Sequence, residues 1–258
     1  MNIKKKLLIL IVAYNHEKFI KNVLQRISID LAKKYDVEIL INDDSSSDKT
    51  VKYVQDFIEF NSNNSFKYKV LSNPENQGYG GNQKIGYHYA IKHNFDFVAL
   101  LHGDGQFAPE YLEKLIDPLG QNNIDAVFGS RMLGGEFFKG GMPRWKFYAN
   151  IILTAFANMI LGIYLTEFHT GFRAYSKHYL ESINFNENSN NFVFDTEIII
   201  QGIHKKMKFH EIPIDTRYFE EASQINFFNS VRYGLGILKR LFIYKLFSAG
   251  IIKHPLFK

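Results

Sequence analysis

The sequence predicts an α/β fold, with a mostly parallel central sheet covered on both faces by helices and an amphipathic helical tail at the C-terminus. Three observations carry this. Short apolar runs alternate with stretches of helical periodicity through the first half of the chain, the pattern of strands joined by crossover helices. With 258 residues, 46% of them hydrophobic and 22% charged, the chain has material for one large continuous core. Acids and amides follow several of the apolar runs, where an open parallel sheet binds its ligands.

Residues 7–13 read as the first strand, and residues 17–31 as a helix with Ile20, Val23, Leu24, Ile27 and Leu31 on one side. The second strand is 37–42, and Asp48 caps a helix through about residue 60. A third strand at 66–71 leads through a Gly-rich turn to a helix at 82–93. Strands at 97–101 and 126–129 flank a helix at 110–119. The second half is less regular: an apolar helix at 147–166, a turn at Thr170-Gly171-Phe172-Arg173, a polar loop at 187–191, a helix at 196–204 and a strand at 209–214. Residues 1–222 form the predicted domain and 223–258 its appendage.

Composition narrows the function classes. Without cysteine there are no disulfides, thiolate metal sites or cysteine nucleophile, which fits a reducing compartment. The net charge is +5, and no Asp or Glu follows Glu221, whereas Arg232, Lys239, Arg240, Lys245, Lys253 and Lys258 do. A basic tail rich in Phe, Leu and Ile suits an anionic membrane surface, although it also fits the solvated face of an ordinary helix. Lys4, Lys5 and Lys6 precede an apolar run too short for a signal peptide and lacking a cleavage site, so a buried strand explains it better. Residues 147–166 are nearly long enough to cross a bilayer, but Asn150 and Asn158 lie inside them, which points to a buried or interfacial helix. The expected location is cytoplasmic, peripheral at the inner face of the cell membrane. No basic stripe interleaved with stacking aromatics occurs outside the tail, which argues against nucleic acid.

Candidate site residues follow the predicted strands. Tyr14, Asn15 and Glu17 come after the first, Asp43, Asp44 and Ser45 after the second, and His102-Gly103-Asp104-Gly105-Gln106 after the fourth. A single acid there is commonly a helix cap; several at one rim suggest a ligand site. Asp104, between two glycines, could hold Mg²⁺ or Mn²⁺ against a diphosphate, with His102 and Gln106 in the shell. The run Asn76-Gln77-Gly78-Tyr79-Gly80-Gly81-Asn82 fails as a dinucleotide loop because Gln83 stands where its third glycine belongs. It reads either as a tight turn approaching a sugar or nucleotide, or as a Gly-rich helix start.

In order, Val12-Ala13-Tyr14-Asn15, Asn42-Asp43-Asp44-Ser45-Ser46-Ser47-Asp48, Asn76-Gln77-Gly78-Tyr79-Gly80, His102-Gly103-Asp104-Gly105-Gln106, Gly129-Ser130-Arg131, Thr170-Gly171-Phe172-Arg173 and Glu211-Ile212-Pro213-Ile214 resemble the motifs of family 2 glycosyltransferases of the dolichyl-phosphate mannosyltransferase-like, polyprenyl-phosphate branch. The resemblance spans about residues 8–223 and implies a GT-A fold and inverting transfer from a nucleotide sugar. It implicates Tyr14, Asn15, Asp43 and Asp44 in nucleoside binding, His102, Asp104 and Gln106 in metal binding, and Arg131 and Arg173 near an acceptor phosphate, where a planar guanidinium pairs well. A structural salt bridge is the alternative for each arginine. The chain departs from the family at Val12, at His16 and above all at His102, which replaces the first acid of an Asp-x-Asp motif.

A lipid phosphate is already an anionic nucleophile and needs no strong base. A saccharide hydroxyl would need one, and Asp195, otherwise a helix N-cap, is the first candidate and Glu197 the second. The expected substrates are a UDP- or GDP-hexose and a polyprenyl phosphate or other lipid-linked acceptor. Rival readings are transfer to a saccharide hydroxyl and a degenerate nucleotide-sugar-binding domain. A nucleotidyltransferase is disfavoured, since no Gly-rich phosphate loop follows the first strand.

Overall fold

In the computed structural model, residues 4–61, 66–135, 141–215 and 227–258 are described. Along the chain run β1 (Lys6–Ala13), α1 (Ile20–Gln25), α2 (Leu31–Lys34), β2 (Asp36–Asp43), α3 (Thr50–Phe60), β3 (Lys67–Ser72), α4 (Gly78–Lys92), β4 (Phe97–His102), α5 (Leu112–Ile116), β5 (Ala126–Ser130), α6 (Arg131–Gly134), α7 (Arg144–Leu161), β6 (Arg173–Ser176), α8 (Lys177–Ser182), α9 (Phe194–His204), β7 (Phe209–Pro213) and α10 (Phe227–Ser248). The strands make one seven-stranded sheet in the order β3-β2-β1-β4-β6-β5-β7. Every neighbouring pair is parallel except those of β6, which runs antiparallel to both β4 and β5.

The mostly parallel sheet is the one expected, and β1 shows why it forms. Its side chains alternate between faces: Leu8, Leu10 and Val12 join the core under α4, α7, α9 and α10, whereas Leu7, Ile9 and Ile11 join the core under α1, α3 and α5. Each fully buried side chain of this kind contributes about 1.5–3 kcal/mol. A strand buried on both faces therefore reads as one unbroken apolar run.

Three expectations need correcting. The helix foreseen at 17–31 is interrupted, because Ser28 Oγ accepts the Asp30 N–H at 3.3 Å and competes with the helical ladder. Strand β6 has only four residues, all buried, too few to show a period; a turn was expected at its start. The apolar helix begins earlier and stops earlier than foreseen: α7 ends where Gly162 adopts φ 67°, and the Asn158 side chain brackets Leu165 through bonds of 2.8 and 2.9 Å. Among the described residues no helix is long and apolar enough to cross a membrane.

The appendage packs into the domain. Helix α10 lies against α7 and α9, and its Ile237 and Leu241 enter the same core as Leu8 and Leu10. Arg240 on α10 pairs with the buried Glu197 on α9 at 2.5 Å. The foreseen boundary at 222/223 lies outside the described residues.

Candidate active site

Strands β1, β2, β4 and β5 point their carboxyl ends to one rim. Because β6 is antiparallel, its beginning reaches that rim too: Arg173 stands opposite Leu100 of β4 and Phe128 of β5. A cavity of about 360 Å³ opens there, lined by Tyr14, Asp44, Asp104, Arg131, Gly171 and Asp195 among others. Along the sheet, Asp44 follows β2, Tyr14 follows β1, Asp104 follows β4, Arg131 follows β5 and His169 precedes β6.

At the β1–β2 end, several expected ligand residues shape the loops. Asn15, at φ 57°, accepts the Ser47 N–H at 2.8 Å, and its own N–H goes to Ser46 Oγ. Asp43 accepts from Ser46 N at 3.0 Å and from Ser46 Oγ. Glu17 accepts from Lys49 N at 2.9 Å at the start of α3. None of these three lines the cavity, whereas Tyr14, 48% exposed, and Asp44 do. Asp44 accepts from the Gln77 and Gly78 amides at 2.8 and 3.0 Å, so it also builds the Gly-rich loop.

The glycines of that loop allow a close backbone approach to the 189–190 segment, and Gly78 also lines the cavity. A Cβ at Gly78, whose φ is +77°, would lie 2.6 Å from Asn190 O, and one at Gly80 would lie 2.4 Å from Ser189 O. Gly80 N donates to Asn190 O at 2.8 Å. The run is a Gly-rich helix start, since α4 begins at Gly78. The contact presses the 188–194 loop against the cavity, where Phe192 stacks on Tyr79 at 4.9 Å.

At the centre, Tyr79 joins two of the expected site residues. Its hydroxyl is 3.0 Å from Asp195 Oδ2 and 3.2 Å from His102 Nε2. Burial and the nearby Asp195 hold the phenol well above its ordinary range, so it keeps its proton. A phenol has one proton, and a carboxylate only accepts. Tyr79 therefore donates to Asp195 and accepts from His102 Nε2–H, which leaves Nδ1 as the nitrogen with the lone pair. Burial, reinforced by Arg173 and opposed by Asp195, pushes the His102 imidazole down to about 4, so it is neutral near pH 7. Asp104 is buried, lines the cavity, and accepts from Gln106 N at 3.0 Å; Gln106 also lines it. His16, beside them, is pushed down by burial against the opposing pull of Asp104.

Asp195 is not the helix N-cap, a position taken by Val193. Gln83 Nε2 donates to its Oδ1 at 3.3 Å and Arg173 pairs with it at 3.7 Å. Arg173 was expected beside an acceptor phosphate. It is instead fully buried behind the cavity wall and donates to the carbonyls of Thr170, Asp195 and Phe168 at 2.6, 2.7 and 3.0 Å. Glu197, the second base candidate, is likewise committed, to Arg240 and to Ser189.

Arg131 does reach the cavity. Its backbone N–H and Nε donate to Glu167 at 2.8 and 2.7 Å, Nη2 donates to Glu167 as well, and Nη2 also reaches His169 O at 3.1 Å. Asn150 of α7 donates to the same Glu167 at 2.8 Å. Sequence reasoning missed Tyr79, Phe192, His169 and Tyr233 as cavity residues. The aromatic 79 sat inside a motif read for its glycines, and Tyr233 comes from a helix read as an appendage.

Comparison with known proteins agrees with the fold and the motif order. The family described as "Glycosyl transferase family 2" matches residues 8–183. UDP-N-acetylglucosamine–dolichyl-phosphate N-acetylglucosaminyltransferase of Methanococcus voltae is 30% identical over 250 residues, 94% of this chain and 97% of that protein. Polyprenol monophosphomannose synthase of Mycolicibacterium smegmatis is 23% identical over 215 residues, 81% of this chain and 77% of its own length. In three dimensions, glucosyl-3-phosphoglycerate synthase from Mycobacterium tuberculosis, solved with Mn²⁺, UDP and glucosyl-3-phosphoglycerate, superposes with a TM-score of 0.67 at 15% identity, covering 96% of this chain and 81% of that one, which establishes the shared GT-A fold. With the ordered motifs on one rim of such a sheet, the chain belongs to glycosyl transferase family 2, within its polyprenyl-phosphate branch, and is a glycosyltransferase.

Proposed function

We propose that this glycosyltransferase moves a sugar, with inversion, from a UDP- or GDP-linked donor to a polyprenyl phosphate at the inner face of the cell membrane. One observation carries the reading. Two helices beside the cavity, α10, whose Tyr233 lines it, and α7, whose Asn150 holds the Glu167 that anchors Arg131, carry apolar stripes on their outer sides. On α7 these are Trp145, Tyr148, Ile152 and Met159, exposed with Arg144; on α10 they are Val231, Leu235, Leu238 and Phe242, exposed with Arg232 and Lys239. Apolar residues mixed with basic ones suit an anionic lipid surface, and the relatives named for dolichyl phosphate and polyprenol support the same acceptor class.

Tyr14, Asn15, Asp43 and Asp44 form the nucleoside end, with Tyr14 and Asp44 in contact with the ligand and Asn15, Asp43, Glu17, Gly78 and Gly80 holding the loops. Among the described residues no three His, Cys, Asp or Glu side chains form a metal cage. One buried carboxylate, Asp104, with the Gln106 amide and the bare His102 Nδ1, fits a Mg²⁺ or Mn²⁺ ion that completes its shell with diphosphate oxygens. When bound, the ion offsets the charge of the leaving diphosphate. Arg131 orients the acceptor phosphate, and Arg173 acts through Asp195. Both oxygens of Asp195 are already engaged, by Tyr79 and by Gln83 and Arg173, which favours an acceptor that is already anionic over a saccharide hydroxyl.

The test is to incubate the purified protein with Mn²⁺ or Mg²⁺, a panel of UDP- and GDP-sugars and a short-chain polyprenyl phosphate, and to analyse the lipid fraction by mass spectrometry. A glycosyl-phosphoryl lipid is expected, and its mass names the sugar. Release of nucleotide with no lipid product would refute the acceptor assignment.

A further inference from the structure

Tyr233 lies on α10, far along the chain from the other residues around the cavity, yet it lines the same cavity. Its hydroxyl is 3.2 Å from His169 Nδ1, and the two rings meet edge-on at 5.8 Å. The other nitrogen of that imidazole, Nε2, is buried and has no hydrogen-bond partner, although the ring forms part of the cavity wall. The carbonyl of the same residue accepts from Arg131 Nη2 at 3.1 Å, which ties the guanidinium to the His169 backbone, and both residues line the cavity. A buried polar nitrogen left unpaired is costly and therefore rare, and beside a binding cavity it marks a partner that arrives with the ligand.

The chemistry of that partner follows from the neighbours. Burial, together with the Arg131 and Arg173 charges, pushes the imidazole down to about 3, so it is neutral. A neutral imidazole carries one proton, and Tyr233 can serve Nδ1 either as donor or as acceptor. With an anion beside Arg131, the Nε2–H tautomer is favoured, and the cavity then offers such an anion two donors, the imidazole N–H and the guanidinium. The place along the rim decides which anion it is. Tyr14 and Asp44 mark the nucleoside end and Asp104 the middle, while His169 and Arg131 stand at the β6–β5 end, between the two helices with apolar outer stripes.

We propose that His169, positioned by Tyr233, binds a phosphate oxygen of the acceptor together with Arg131, so that the C-terminal helix completes the acceptor half of the active site. This rests on the polyprenyl-phosphate reading above. His169 is the contacting residue and Tyr233 a positioning residue.

The test compares wild type with His169→Ala, His169→Gln and Tyr233→Phe, all checked for folding by circular dichroism. Three quantities are read: acceptor KM with short-chain polyprenyl phosphate, direct binding of that lipid in detergent, and UDP affinity by calorimetry. His169→Ala is expected to raise acceptor KM by about 10- to 100-fold, the worth of a hydrogen bond to a charged group, and Tyr233→Phe by roughly 3- to 10-fold. The glutamine variant keeps an N–H donor near the Nε2 position and should recover part of the loss. UDP affinity should stay within about twofold in all three, since the donor end is untouched. Variants with wild-type acceptor KM overturn the inference alone. Weakened UDP binding with unchanged acceptor KM overturns it too, by assigning the nitrogen to the donor diphosphate. A wild type that neither binds nor glycosylates the lipid overturns both the inference and the acceptor reading beneath it.

Discussion

Glu167→Gln is the most informative single change outside the reacting groups. The Glu167 side chain is fully buried, and that of Arg131, its partner, is 12% exposed. The carboxylate accepts from the Arg131 backbone N–H, from its guanidinium and from Asn150 Nδ2. A glutamine of the same shape turns an amide NH₂ toward donors and leaves the guanidinium charge uncompensated. Breaking a buried pair of this kind costs about 3–5 kcal/mol. Because Arg131 borders the cavity and its water, the lower part of that range, about 3 kcal/mol, applies. In a chain of this size each kcal/mol moves Tm by roughly 2–4 °C, so thermal unfolding followed by circular dichroism should show a fall of about 6–12 °C. Acceptor KM should rise at the same time by roughly tenfold as Arg131 loses its anchor, while UDP affinity is unchanged. A Tm within about 2 °C of wild type would refute the view that this pair holds the β5–β6 side of the cavity together.

Three further outcomes are expected. Asp104→Asn should lower kcat on the order of a hundredfold or more and weaken Mn²⁺ uptake by the UDP complex in calorimetry; unchanged uptake would remove Asp104 from the metal shell. Stability should depend on pH through His169. Its folded value, near 3, lies below its ordinary 6.5, so the unfolded chain takes up the proton first. The contribution is complete above about pH 6.5 and is lost as the pH falls toward 3. In urea unfolding, lowering the pH from about 8 to about 5.5 should therefore remove roughly 1 kcal/mol more stability from wild type than from His169→Gln, and equal losses would contradict the burial of the neutral ring. Replacing Ile152 and Phe242, which are 67% and 62% exposed, with Glu should cut binding to anionic vesicles at least about tenfold in a flotation assay, and undiminished binding would exclude these faces as the lipid contact.

The sequence by itself determined the sheet, its crossover helices and the rim that carries the ligand site. Those features rest on local patterns: unbroken apolar runs such as 7–13 mark strands buried on both faces, and residues after such strands must lie at their carboxyl ends. The family too was legible, because it is written in motif order. Tertiary structure alone decided which of those residues reach the cavity. Asp43, Asn15 and Glu17 have the same local signature as Asp44, but their oxygens are taken up by Ser46, Ser47 and Lys49. Arg173 and Arg131 look alike in their motifs, yet a four-residue antiparallel strand buries one behind the wall and a strand end presents the other. His169 and Tyr233 are brought together across 64 positions by the packing of α10. No local pattern encodes such a pair, because its geometry is set by long-range burial, and a side chain's chemistry depends on where the fold leaves its last free atom.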